Sequence, residues 1–193
     1  SGEAAFLRRT EDLIGLPSDE NSLSARLFEF EARLVAAANS PSDEVLLGAT
    51  VNAAERLARG FREISDGIQT ERERADTAIG AAVTLINQSL AGIADLNDRI
   101  ASVAAGSGDA AALLDAQARL VAQVAPLIPV ATRRTDAGRL QVFSTGGDIL
   151  VDRRAAVLGF QPTPAIDPTM ELGASILSGL TIDGRDSPFS INR

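Results

Sequence analysis

The sequence predicts a mainly α protein: an elongated helical bundle with one very long helix, followed by a small antiparallel β region. Three observations carry that expectation. Apolar residues recur at helical spacing over 41–105 almost without a break. The chain is 45% hydrophobic but only 4% aromatic, with no Trp or Tyr. Its core must therefore use Ala, Leu, Ile and Val, which suit close helix packing. After Pro129, short β-prone runs alternate with glycine-bearing turns.

Residues 3–14 place Ala5, Phe6, Leu7, Leu13 and Ile14 in a weakly periodic stretch, closed by Gly15 and the turn-forming GLPSDENS. This reads as the end of a helix that starts before the chain does. Next, Ser22 is positioned as an N-cap, and Leu23, Leu27, Phe30, Leu34 and Ala37 share one helical face. Ser40 and Pro41 close this short helix. The same residues are expected to open the next one, with Ser40 as N-cap, Pro41 at the first helical position and Asp43 as the capping acid.

The long segment carries two apolar runs. Leu47, Val51, Ala54, Leu57, Phe61, Ile64 and Ile68 form the first. Ile79, Val83, Ile86, Leu90, Ile93, Leu96, Ile100 and Val103 form the second, close to a heptad seam. Between them lies the polar QTERERADT, residues 69–77. Unbroken, such a helix would span roughly 95 Å. Its glycines each cost about 1 kcal/mol against Ala, so a kink near Gly67 or Gly80 is the alternative. Burying the charges of 69–77 without partners is expensive, so that stretch is expected as an exposed bridge between two docking seams. The 23–39 helix would shield Leu47 through Ile68, and a 109–125 helix would cover the second run.

Gly106-Ser107-Gly108 reads as a stop, and Asp109 can cap the helix bearing Leu113, Leu114, Leu120, Val121 and Val124. Strands are expected near 130–135, 139–144, 148–151 and 156–160, with up to two more short ones in the Pro-, Gly- and Ser-rich remainder. The domains expected are 1–129, a helical bundle, and 130–193, a β-rich hairpin region truncated at its end.

Composition excludes several function classes. The net charge is −8 and the pI near 4.6, the wrong sign for binding a phosphate backbone. Every basic residue is Arg. Without Cys or His there is no thiol nucleophile, no thiolate metal site, no imidazole base and no imidazole, the commonest metal ligand. No stretch approaches the roughly 18 apolar residues of a membrane span. SGEAAFLRRTEDLIG lacks a signal-peptide core and an initiator Met. The expectation is a protein that is not an enzyme, with no cofactor, metal, small-molecule substrate, nucleic acid or membrane partner.

Local motifs fit this reading. TIDGRDS (181–187) lacks the alternating acids of a calcium loop and reads as a turn. Asp43 and Glu44 suit a helix start. Ser144-Thr145-Gly146-Gly147 lacks the lysine of a phosphate loop and reads as a hairpin turn. Glu71, Arg72, Glu73 and Arg74 suit either a solvated helix face or a recognition patch. With Asp76 they are the candidate subunit-contact surface.

Four stretches resemble the FlgK family of flagellar hook-associated proteins: EDLIGLPSDENSLSARLFEFEARLVAAANSPSDE (11–44), LINQSLAGIADLNDRIA (85–101), LLDAQARLVAQVAPLIPV (113–130) and TDAGRLQVFSTGGDILVD (135–152). Their order also matches, over about residues 1–160. The resemblance implies a central fragment lacking the terminal helices of an extracellular, axial, structural protein of the bacterial flagellum, at the hook–filament junction. It implies export by the flagellar secretion apparatus without a cleavable signal peptide. It further implies lateral packing, self-association in a ring, and contact with hook protein and the neighbouring junction protein. The alternatives are an extracytoplasmic helical sensor or adaptor domain, a sister junction protein, or a flagellin-like subunit. Heptad-rich termini in the full-length gene would favour the junction subunit, and membrane spans the sensor.

Overall fold

The computed structural model describes residues 2–16, 18–103, 108–164, 166–170 and 177–186. Helices come first: α1 (Gly2–Ile14), α2 (Leu23–Asn39), α3 (Glu44–Ser102) and α4 (Gly108–Val124). Strands follow: β1 (Val130–Arg134), β2 (Leu140–Ser144), β3 (Ile149–Val151), β4 (Leu158–Gly159), β5 (Thr181–Ile182) and β6 (Arg185–Asp186). The chain is thus mainly α with one very long helix and small antiparallel sheets, as the periodicity predicts.

The caps explain most boundaries. Ser22 Oγ accepts the Ala25 N–H at 3.2 Å and starts α2, as expected. The start of α3 differs from expectation. Ser40 ends α2, donating its N–H to the Ala37 carbonyl at 3.2 Å. Asp43 is the cap instead, its Oδ1 accepting the N–H groups of Val45 at 2.9 Å and Leu46 at 3.2 Å. A carboxylate on two orphan amides satisfies the helix start better than the Ser40 hydroxyl, and its charge also opposes the N-terminal dipole. Beyond this point α3 runs through Gly67 and Gly80 as one helix of 59 residues. The Gly106-Ser107 stop lies outside the described residues.

Contacts group the chain into two compact units, Ser1–Arg74 with Ile166–Pro168, and Ala75–Ala165 with Thr169–Arg193. In the first unit, α1 and α2 pack in turn on one face of α3. Arg26 pairs with Glu63 at 2.9 Å and Arg56 with Glu29 at 2.6 Å, while Thr50 Oγ1 donates to the Arg33 carbonyl at 3.0 Å. Two glycines of α3 allow close approach. A Cβ at Gly67 would lie 2.6 Å from Leu13 Cδ2, and one at Gly60 2.6 Å from Arg26 Nη1.

The second unit holds the main core. Val83, Ile86, Leu90 and Ile93 of α3 pack with Val124 and Ile128, and with Leu140, Val142, Leu150, Val151, Leu158 and Ile182 from the sheets. The second apolar run is therefore covered, but mostly by the sheets rather than by the 109–125 helix expected to cover it, which contributes buried Val124 and the half-buried Leu120 and Val121. One sheet has the order β1-β2-β3 and the other β4-β5-β6, all pairs antiparallel. The TDAG and STGG hairpin turns fall where the sequence places them. Residues 181–186 form the β5–β6 hairpin, turning at Asp183-Gly184, both with positive φ (48° and 75°).

Two asparagines of α3 fasten strands to the helix. Asn97 is 1% exposed. Its Oδ1 accepts the Leu140 N–H at 2.7 Å and its Nδ2 donates to the Leu140 carbonyl at 2.9 Å. Gln117 of α4 donates to the same Oδ1 at 3.0 Å. Asn87 repeats the device on Leu158, with both bonds at 2.8 Å. Each amide imitates a strand neighbour, pairing both backbone groups of one residue.

One compositional expectation is corrected. Among the described residues, α3 is long and apolar enough to cross a membrane by length and composition. Residues 78–96 contain a single charge, Asp95, among Ala, Ile and Leu. The interspersed polar residues Asn87, Gln88 and Ser89 hid this from a search for an unbroken run.

Candidate subunit-contact surface

The stretch 69–77 was expected to be an exposed bridge, and Glu71 corrects that. Its side chain is buried, 4% exposed, between Arg9 of α1 and Arg74 one turn on, and it pairs with both. The reason lies in the helical repeat. Leu46, Thr50, Ala53, Leu57, Gly60, Ile64, Gly67 and Glu71 follow spacings of four and three, and all are buried or half-buried. Glu71 ends this covered seam, and α1 supplies the partner that a buried charge requires. Burial pushes the Glu71 carboxyl up. The hydrogen bonds from Arg9 and Arg74, with their positive charges, outweigh that and hold it below the ordinary carboxylate range.

A comparison with Glu71→Gln tests the sign. The folded carboxyl titrates below its unfolded value of about 4.3, so its contribution is complete above that value. It is lost as pH falls through the lower folded value. Wild type is expected to resist urea better than Glu71→Gln at pH 7, with the gap closing in acid. A gap that widens as pH falls contradicts this assignment.

The remaining candidates separate. Arg72 is half-buried, donating to Gln69 Oε1 at 3.0 Å and to the Asp167 carbonyl at 3.2 Å. Glu73 and Arg74 are exposed. Asp76 belongs to the second unit, where its carboxylate accepts the Thr163 N–H at 2.7 Å. The structure therefore does not gather the five residues on one face.

The seam beside the covered one was misassigned. Leu47, Val51 and Phe61, expected beneath α2, are 44%, 58% and 55% exposed. With Ala54, Ala58 and Ile68 they form an apolar stripe at heptad spacing along α3. On α2, Phe28 and Val35 are 65% and 61% exposed. Phe30 is only half-buried, so Phe30→Ala is expected to cost about 1–2 kcal/mol rather than the 3–5 of a fully buried Phe; thermal melts check this. Scattered exposed apolar residues are ordinary, whereas these recur at one spacing along a single helix face.

Among the described residues, no three or more Asp, Glu, His or Cys gather where they might hold a metal ion. What the fold offers is surface: a long helix with one covered seam, one open seam and a charged stretch at its middle. That defines a helical module with an extended apolar surface along its long helix.

The chain belongs to the family described as the flagellar hook-associated protein FlgK helical domain, whose model matches residues 7–186. It is also similar to flagellar hook-associated protein 1 of Escherichia coli (strain K12), with 26% identity over 144 residues, which covers 73% of this chain and 26% of that relative. The chain thus spans about a quarter of the relative's length. The hook-associated family is structural, and this chain is a flagellar hook-associated structural protein.

Proposed function

We propose that the chain is the helical part of a hook–filament junction subunit that packs laterally in an axial assembly. It self-associates in a ring and contacts hook protein and the neighbouring junction protein. Its place is extracellular, on the flagellum, reached through the flagellar secretion apparatus without a cleavable signal peptide. The open heptad stripe of Leu47, Val51 and Phe61 supports this reading most directly. A stripe of that length, roughly 30 Å at 1.5 Å per residue, suits another helix laid alongside. Exposed Glu73 and Arg74, with half-buried Arg72, extend the contact surface past the stripe. Glu71 and Asp76 support it from within by fixing α1 and the 160–164 segment.

The test is complementation of a strain lacking the full-length gene. Phe61→Glu places a charge on the stripe while sparing the covered seam. It is expected to leave secretion and folding intact, yet to reduce motility and release filament at the junction. Arg72→Ala, which loses the bonds to Gln69 and the Asp167 carbonyl, is expected to cost about 1 kcal/mol of stability, while also impairing motility. Full motility with Phe61→Glu and with Val51→Glu would refute the proposal.

A further inference from the structure

We propose that α1 is a releasable helix, docked on α3 only while Glu71 carries its charge. This goes beyond the junction role and rests on separate observations. No described residue of α1 is buried, and its apolar Leu7 and Ile14 are 51% and 44% exposed. An unburied helix of 13 residues is marginal by itself. Its described contacts with α3 include Leu13 over the Gly67 notch and Arg9 on Glu71. Phe6, Thr10 and Leu13 on its inner face are only half-buried, so the buried ion pair is the contact whose loss should matter most.

The charges around Glu71 make that contact conditional. Arg9 reaches it from α1, which also carries Arg8, Glu11 and Asp12. Arg72, Glu73 and Arg74 stand near it on α3, and Asp167 lies in the segment held by Arg72. Ionised, Glu71 compensates two guanidinium groups from a buried position. Protonated, it leaves Arg9 and Arg74 facing each other without an anion between them. Moving α1 away is then the simplest relief, since it separates the two guanidinium groups and opens Glu71 to water. The depressed titration of Glu71 fits a pair that stays closed at neutral pH and opens only in acid.

The neighbouring helix supplies the internal control. α2 buries Ala37 and is held by ion pairs to Glu63 and Arg56, partly exposed and remote from Glu71. Losing the Glu71 charge should leave α2 in place.

Hydrogen exchange of the 193-residue chain, read by mass spectrometry as protection corrected for pH, tests this. At pH 7, Glu71→Gln and Arg9→Ala are each expected to lower protection of residues 4–14 about tenfold or more. Protection of 23–39 should hold within about twofold, as expected for an independent local opening. Wild type should show the same selective loss below about pH 4.3, and Glu71→Gln no further acid step in that segment. Tryptic cleavage after Arg8 and Arg9 at pH 7 should quicken in step. If 4–14 keeps its protection in both variants, or loses it together with 23–39, the proposal fails. It fails equally if wild-type 4–14 is already unprotected at pH 7.

Discussion

Asn97→Leu is expected to destabilise the strand-bearing unit by about 3–5 kcal/mol, although leucine matches asparagine in size and the site is fully buried. The side chain now satisfies the N–H and carbonyl of Leu140 and the amide of Gln117. Leucine removes all three partners at once. A buried polar group left without a bond costs about 1–3 kcal/mol, and relaxation would recover part of the sum. Gln117 keeps the bond its Oε1 accepts from Arg134 at 3.2 Å but loses the acceptor of its Nε2–H, so the Leu140 backbone and the Gln117 amide share the loss. Urea denaturation followed by circular dichroism measures it. A change below about 1 kcal/mol would show that water replaces the amide and that Asn97 is not a fastening point. Asn87→Leu should cost less, because Asn87 is half-buried and water can reach Leu158 more easily.

Leu90→Ala is expected to cost about 3–5 kcal/mol, near the upper end for Leu to Ala. Leu90 is 0% exposed and sits among Ile86, Ile93 and the sheet residues. Truncation leaves a cavity that a helix and two sheets cannot easily collapse. Phe61→Ala removes a larger side chain, yet it should cost no more than about 1 kcal/mol in the isolated chain, because Phe61 is 55% exposed. The contrast measures directly which seam of α3 is covered. Equal losses at the two sites would mean that the Phe61 stripe is packed in solution.

The candidate site was partly legible. The charged run 71–76 and its position between two apolar runs were plain from the sequence. The roles inside it were not, because Glu71 and Glu73 are alike in sequence and differ only in what lies opposite. Arg9, sixty-two residues away, supplies the partner that buries Glu71. No local signal connects them, although an acid continuing the four-and-three spacing of Gly60, Ile64 and Gly67 was available as a hint. Asn87 and Asn97 went unnoticed for a similar reason. An amide on a predicted helix reads as surface until a strand arrives to bond with it.

The sequence by itself determined the helices, their order and most of their ends, because a 3.6-residue period and a capping side chain act within a few residues of chain. It also determined the hairpin turns and the inward face of Val83 through Leu96, where one dominant face leaves no choice, though not that the sheets would supply most of its cover. Only the tertiary structure decided which seam of the first half of α3 is covered. Two seams lie side by side there, one residue apart at each step. The large side chains of Leu47, Val51 and Phe61 make one of them look like core. The other, running through Ala53, Gly60 and Gly67, is the one that α1 and α2 cover, because small residues let helices approach closely. Apolar surface measures what gains from being covered, whereas shape decides what can be covered by the helices at hand.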